Sequence, residues 1–379
     1  MKKASNYKKS EMKGFPNGKV KNMKKIRRGQ FGKNISVILL VISVLSTFVL
    51  AGCGAAKTTT STATSSSTIE YPSSLNKTVV LRVAATGWDS YNQLLIAAGL
   101  DDTPYTVEYA VFQGGNLCLE AVAADKIDFT GTSEIPPIAA SLASNGGNFK
   151  IVAVSNSSPQ NQELVTMGTS GIKSVADLKG KKVGYIKNTT AHYFLSQMLT
   201  TAGLKWSDII PVEITTADGV TALKAGSIDA FASYGNSINA AKNIGAVTLQ
   251  SALRILSGNF PFVVSDKALA DANKRAAAAD YLARLQKANE WQKNNLEKWA
   301  QISSDPTGQT YEDALALLKV TYSDFDTSVK TVDDSVINSE QSVADTFYDL
   351  GLYTVKVDAS KLYDKSFSSD YTTALSKFK

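Results

Sequence analysis

The chain has 379 residues, 44% of them hydrophobic and 20% charged, which fits a globular protein with one sizeable core or two modest ones. A single histidine and two cysteines remove two-histidine zinc motifs, cysteine-rich metal sites and a disulfide framework, so no metal and no cofactor is expected and most hydrolase chemistry fades. The net charge of +6 belongs to the first 52 residues, which carry 12 Lys/Arg and one acid, Glu11; the rest has 28 bases against 33 acids and no basic stripe with interleaved aromatics, which argues against nucleic acid as a partner.

In chain order, Lys24, Lys25, Arg27, Arg28 and Lys33 precede an apolar run from Ile35 to Leu50. That run is shorter than the ~20 residues a spanning helix needs, and small residues follow it, as in a cleaved signal peptide. Met23 opens a more usual signal peptide than Met1 does. Leu50-Ala51-Gly52-Cys53 resembles the lipobox of bacterial lipoproteins. The resemblance implies that the Cys53 thiol is diacylated and anchors the protein to the outer face of the cell membrane, two acyl chains being enough for stable attachment. Residues 1–52 are then the signal peptide and 53–74, rich in Thr, Ser and Ala, a flexible tether.

From Val79 short apolar runs alternate with helix-period segments, the mark of an α/β protein. Strands are expected at 79–84, 105–111, 127–130 and 149–154. Helices are expected at 90–98 with a stop at Gly99, from Gly114-Gly115 to Ala124, and from Pro136-Pro137. A second cycle follows: a short helix at 175–180, strands at 182–186, 210–214 and 228–233, and helices at 190–202 and through Lys224. Ala121, Ala124, Ile127 and Asp128 recur 101 residues later as Ala222, Ala225, Ile228 and Asp229, an echo that two similarly wound lobes would produce. Beyond a strand near 260–264 the pattern turns helical. Leu282, Leu285, Leu296 and Trp299 share one face of a segment from 268 to 302, and a last helix spans 333–350 before a polar tail.

Four stretches resemble the aliphatic-sulfonate, taurine and nitrate branch of bacterial solute-binding proteins: 128–137 (DFTGTSEIPP), 175–184 (VADLKGKKVG), 187–192 (KNTTAH) and 225–230 (AGSIDA). The resemblance runs in order over nearly all of the chain after Val79. It implies the type II periplasmic-binding-protein fold: two α/β lobes joined by two hinge crossover strands, with the ligand in the cleft between them. Lobe 1 would take residues 75–168 and 256–379, and lobe 2 residues 169–255. It also implies a monomer that captures a small organic anion and delivers it to an ABC permease and its ATPase, without catalysis. The same fold carries nitrate, bicarbonate and pyrimidine binders and related enzymes.

An anion site needs several donors and little water, and helix N-termini supply N–H groups and a favourable dipole. Three such starts would face one cleft: Gly114 and Gly115, then Thr132, Ser133 and Glu134, then Asn188, Thr189 and Thr190. On the family pattern His192 lies one turn into the third helix, and Trp88, Asp89 and Ser90 line the cleft after the first strand. Glu134 can orient its loop or meet the ammonium of a taurine-like ligand. Members of the branch usually carry Trp followed by Asp-Pro after the strand ending near Ser233; here Tyr234-Gly235-Asn236 makes a smaller, more polar wall. No arginine stands in any of these loops, which favours a singly charged head group over a dianion.

Overall fold

The computed structural model describes residues 75–378. Cys53, the export segment and the tether expected at 53–74 lie outside the described residues. The first lobe opens with β1 (Val80–Thr86), α1 (Ser90–Ala98), β2 (Thr106–Phe112), α2 (Gly115–Ala123), β3 (Phe129–Gly131), α3 (Ile135–Ser141) and β4 (Phe149–Asn156). Residues 157–161 cross to the second lobe, built from β5 (Gln162–Met167), a 3-10 turn at Val175–Leu178, β6 (Lys182–Tyr185), α4 (Thr190–Thr201), β7 (Ile210–Glu213), α5 (Thr216–Lys224), β8 (Ala230–Tyr234), α6 (Asn236–Asn243) and β9 (Ala246–Ser251). Residues 252–258 cross back. The first lobe is completed by β10 (Asn259–Ser265), α7 (Asp266–Ala270), α8 (Ala272–Lys293), α9 (Leu296–Thr307), α10 (Tyr311–Asp324), β11 (Lys330–Thr331), α11 (Asp334–Asp349) and α12 (Phe367–Leu375).

The two sheets run β11-β4-β10-β3-β1-β2 and β7-β6-β8-β5-β9. In each, parallel βα units are joined by one inner strand of opposite direction that arrives straight from a crossing: β10 lies antiparallel between β3 and β4, and β5 lies antiparallel between β8 and β9. The fold is thus α/β and two-lobed, with two hinge crossings between the lobes.

The sequence echo has a structural basis. Asp128 donates its N–H to the Arg82 carbonyl (2.8 Å) and accepts the Arg82 N–H on its carboxylate (3.0 Å). Asp229 does the same to Lys182, at 2.7 and 2.8 Å. In both lobes an Ile-Asp pair therefore pins the next strand to the first one by its backbone. The lobes differ in charge pairing: Asp128, fully buried, also meets Arg82 and Lys274.

The segment expected as one helix over 268–302 is three. Asp271 caps α8 by accepting the Asn273 and Lys274 N–H groups, and the chain breaks again at Asn294-Asn295. The run Ala276–Ala279 is almost fully buried, so α8 lies close against the first sheet and α12, and a hydrophobic stripe is not needed to bury it. The polar tail folds as well. Arg275 fastens it by binding Asp370 (2.7 Å), Asp364 (3.1 Å) and Ser366 (3.0 Å). Among the described residues no helix is long and apolar enough to cross a membrane.

Candidate functional site

A cavity of about 410 Å³ lies between the lobes. Its walls include the starts of three helices: Gly115 of α2, Thr132, Ser133 and Pro136 around the start of α3, and Thr189 and Thr190 of α4. The first-turn N–H groups of a helix have no acceptor inside it, so the α2 and α4 starts bring partial positive charge to one place, whereas Pro136 and Pro137 leave the first turn of α3 with few donors. No charged side chain lines the cavity among the described residues.

Glycine permits the close approach at α2. A β-carbon at Gly115 would lie 2.3 Å from Thr132 Oγ1, and one at Gly114 would lie 2.6 Å from Asn116 Oδ1 and 2.8 Å from the Tyr234 hydroxyl. Around these glycines, Thr132 Oγ1 and Asn116 Oδ1 are buried without a hydrogen-bond partner, and the buried Tyr234 hydroxyl stands beside them against Thr189. Burial pushes the Tyr234 phenol well above its ordinary pKa, so it keeps its proton and remains a donor. Leaving such groups unpaired costs about 1–3 kcal/mol each, so the cluster favours a guest that can pair with them.

Of the residues expected at the site, Ser90, Gly115, Thr132, Ser133, Thr189, Thr190 and Tyr234 line this cavity. Thr189 spends its hydroxyl on its own helix, accepting from Ala191 N (3.3 Å) and donating to the Ile186 carbonyl (2.8 Å). The others are placed elsewhere. Gly114 stands just behind Gly115 as the residue before α2. Trp88 packs on Trp299, with ring centroids 5.6 Å apart, and borders a neighbouring cleft that it shares with Asn236. The Asp89 carboxylate accepts from Asn92 at 2.7 Å.

Glu134 is nearly fully buried and accepts from Ser257 and Asn259, so it ties the loop before α3 to the second crossing instead of facing the cavity. Asn188 adopts a left-handed conformation (φ 58°), which asparagine tolerates, and its side chain accepts from the Tyr353 hydroxyl (3.2 Å). Asn236 donates to the Pro306 carbonyl (3.2 Å). It is the first of a row: Asn239 donates to Thr307 O (2.9 Å) and Asn243 to Gly308 O (3.3 Å), so one face of α6 grips the end of α9 across the lobes.

His192 is packed in an aromatic cage, with ring centroids 5.0–5.1 Å from Tyr185, Trp206 and Phe347. Phe347 comes from α11, so the cage is also an interlobe contact. Burial lowers the His192 pKa to about 4, with Lys187 adding to the shift. The unfolded chain then takes up a proton near the ordinary histidine value while the folded form does not, so stability falls as pH drops from 6.5 towards 4. His192→Phe should flatten this slope by roughly 2 kcal/mol between pH 7 and pH 4.5. Urea unfolding at both values checks it, carboxylate contributions cancelling between variant and parent; equal slopes would show that the ring is not held neutral.

The cavity residues absent from the sequence reading come mostly from the crossings and their flanks: Ser155, Ser157, Ser158, Gln160, Phe260 and Phe262, with Asn289 from α8. They form no helix start and no motif, so only the hinge position of 157–161 would have singled some of them out.

Two α/β lobes, two crossings and a donor-lined cavity between them define the type II periplasmic-binding-protein fold. The chain belongs to the NMT1/THI5-like family, whose model matches residues 55–277. It is 31% identical over 254 residues to an Escherichia coli (strain K12) protein named for aliphatic sulfonate binding, covering 66% of this chain and 77% of that one. The alkanesulfonate-binding protein SsuA of Xanthomonas axonopodis pv. citri, solved with MOPS, superposes with a TM-score of 0.66 at 24% identity over 76% of this chain and 99% of that one. The desulfurization enzyme DSZB shares the fold at a TM-score of 0.56 and 13% identity, over 79% of this chain and 99% of that one.

Proposed function

We propose that this protein is the extracytoplasmic binding component of an ABC-type importer, lipid-anchored through Cys53, that closes its two lobes on a small, singly charged organic anion of the aliphatic-sulfonate kind. The observation that carries this reading is the convergence of the α2 and α4 starts and the unpartnered Thr132 hydroxyl, with the Tyr234 phenol beside it, on a cavity lined by no charged side chain among the described residues. Dipoles and neutral donors balance one negative charge far better than two, and a guest cation would find no carboxylate on the walls. The aromatic faces of Phe260 and Phe262 suit an organic tail, which favours a sulfonate over nitrate or bicarbonate. The binding-protein relatives point the same way, and the cavity walls offer hydroxyls, amides and two tyrosine phenols but no carboxylate, imidazole, amine or thiol among the described residues, which favours carriage over catalysis. On this reading residues 75–156 with 259–378 form one lobe and 162–251 the other, the boundary expected after residue 168 moving ahead of β5 because that strand pairs with β8 and β9, and the protein docks on its permease as a monomer.

A thermal-shift and calorimetric screen of alkanesulfonates, taurine, nitrate, bicarbonate and pyrimidines tests the reading, since a ligand that binds the folded form raises its melting temperature. Sulfonates are expected to stabilise the protein in a concentration-dependent way. Stabilisation by neutral or cationic compounds alone would overturn the reading.

A further inference from the structure

The hinge side of the cavity has a chemistry of its own. Ser155 ends the inward stretch of β4, opposite Phe260 in the sheet register; Ser157 and Gln160 sit on the first crossing; Asn289 reaches in from α8. All four are half-buried, and none of their side chains hydrogen-bonds another described residue. They contrast with polar side chains on and beside the crossings that are spent on the protein: Asn161 binds Asn239 (2.8 Å), Ser257 binds Glu134, and Asn259 at the start of β10 binds both Glu134 and Ser339. The cavity therefore has two sets of free polar groups, one at the helix starts and one along the hinge, with Phe260 and Phe262 as its main apolar faces.

We infer that the ligand carries, besides its anionic head, an uncharged hydrogen-bonding group on its tail, and that Ser155, Ser157, Gln160 and Asn289 select for it. This rests on the anion reading above. An alkyl tail closed into the cavity would strip water from these hydroxyls and amides and return nothing. A tail hydroxyl or ether would replace the lost partners, while Phe260 and Phe262 cover the intervening carbons. A binding site that pairs with a ligand hydroxyl discriminates strongly against the analogue lacking it, because the wall groups are then left unpaired. The uncharged lining makes a carboxylate or ammonium on the tail unfavourable, since neither would meet a counter-charge.

The test is titration calorimetry of the soluble chain with two probes of equal heavy-atom count, 2-hydroxyethanesulfonate and propane-1-sulfonate. The hydroxylated probe is expected to bind about tenfold or more tightly, the size of one satisfied polar group. Gln160→Leu combined with Asn289→Leu is expected to bring the two affinities within about threefold of each other, mainly by weakening the hydroxylated probe. Equal affinities in the parent protein, or a preference for propane-1-sulfonate, overturn the tail inference and leave the anion site standing. A preference that the double variant does not change overturns the assignment to the hinge wall. If neither probe binds while a neutral compound does, the anion reading itself fails.

Discussion

Gly115→Ala is expected to weaken sulfonate binding by about 2 kcal/mol, a roughly thirtyfold loss of affinity. The new β-carbon would fall 2.3 Å from Thr132 Oγ1, closer than packed atoms allow, and 3.2 Å from Pro136 Cγ, a tight contact. Thr132 is the freer neighbour, so its side chain is displaced and its unpartnered hydroxyl leaves the place where the α2 and α3 starts meet. Fold stability should change little, because alanine is preferred to glycine within a helix and offsets part of the crowding. Calorimetry with a sulfonate, alongside the melting temperature of the free protein, checks both halves. An unchanged affinity would remove the α2 start from the site.

Asn236, Asn239 and Asn243 replaced together by alanine should speed ligand release roughly tenfold with little effect on capture. The three amides lie on one face of α6 and donate to the carbonyls of Pro306, Thr307 and Gly308 at 3.2, 2.9 and 3.3 Å. Carbonyls at a helix C-terminus have no acceptor role left inside the helix, so the row joins groups that water would otherwise satisfy. These bonds exist only while the lobes are together, which places their effect on opening. The rungs are partly exposed, so their sum is set at about 1.5–2 kcal/mol, below three full hydrogen bonds. Stopped-flow release measurements decide it: an unaltered release rate, or an effect confined to capture, would show that the row does not hold the lobes shut.

Much of the architecture was legible because local rules and tertiary packing agree there. Gly99 closes α1 in a left-handed conformation, and the Ile-Asp echo marks equivalent backbone clamps in both lobes. The three helix starts announced themselves by small, capping residues, and parts of all three reach the cavity. Strand β5 has no counterpart in the sequence pattern, since it opens on the polar pair Gln162-Glu163; Glu163 is buried in the strand only because Lys242 and Thr248 reach it from α6 and β9. Helix α10 was also missed, and α12 lies in the stretch read as a polar tail; α12 is fixed partly by Arg275, 95 residues away from Asp370.

The sequence by itself determined the α/β class, the order of the βα units and the abundance of donors at helix starts, since each depends on periodicity, glycine stops and capping chemistry within a few residues. Only the tertiary structure decided which polar groups remain free for a guest. Glu134, Asn188, Asn236 and His192 carry the right chemistry for the cavity, yet each is engaged by a distant partner: Asn259, Tyr353, Pro306 and Phe347. A side chain can satisfy a ligand only with bonds it has not already made, and those bonds are settled by contacts far apart in the chain.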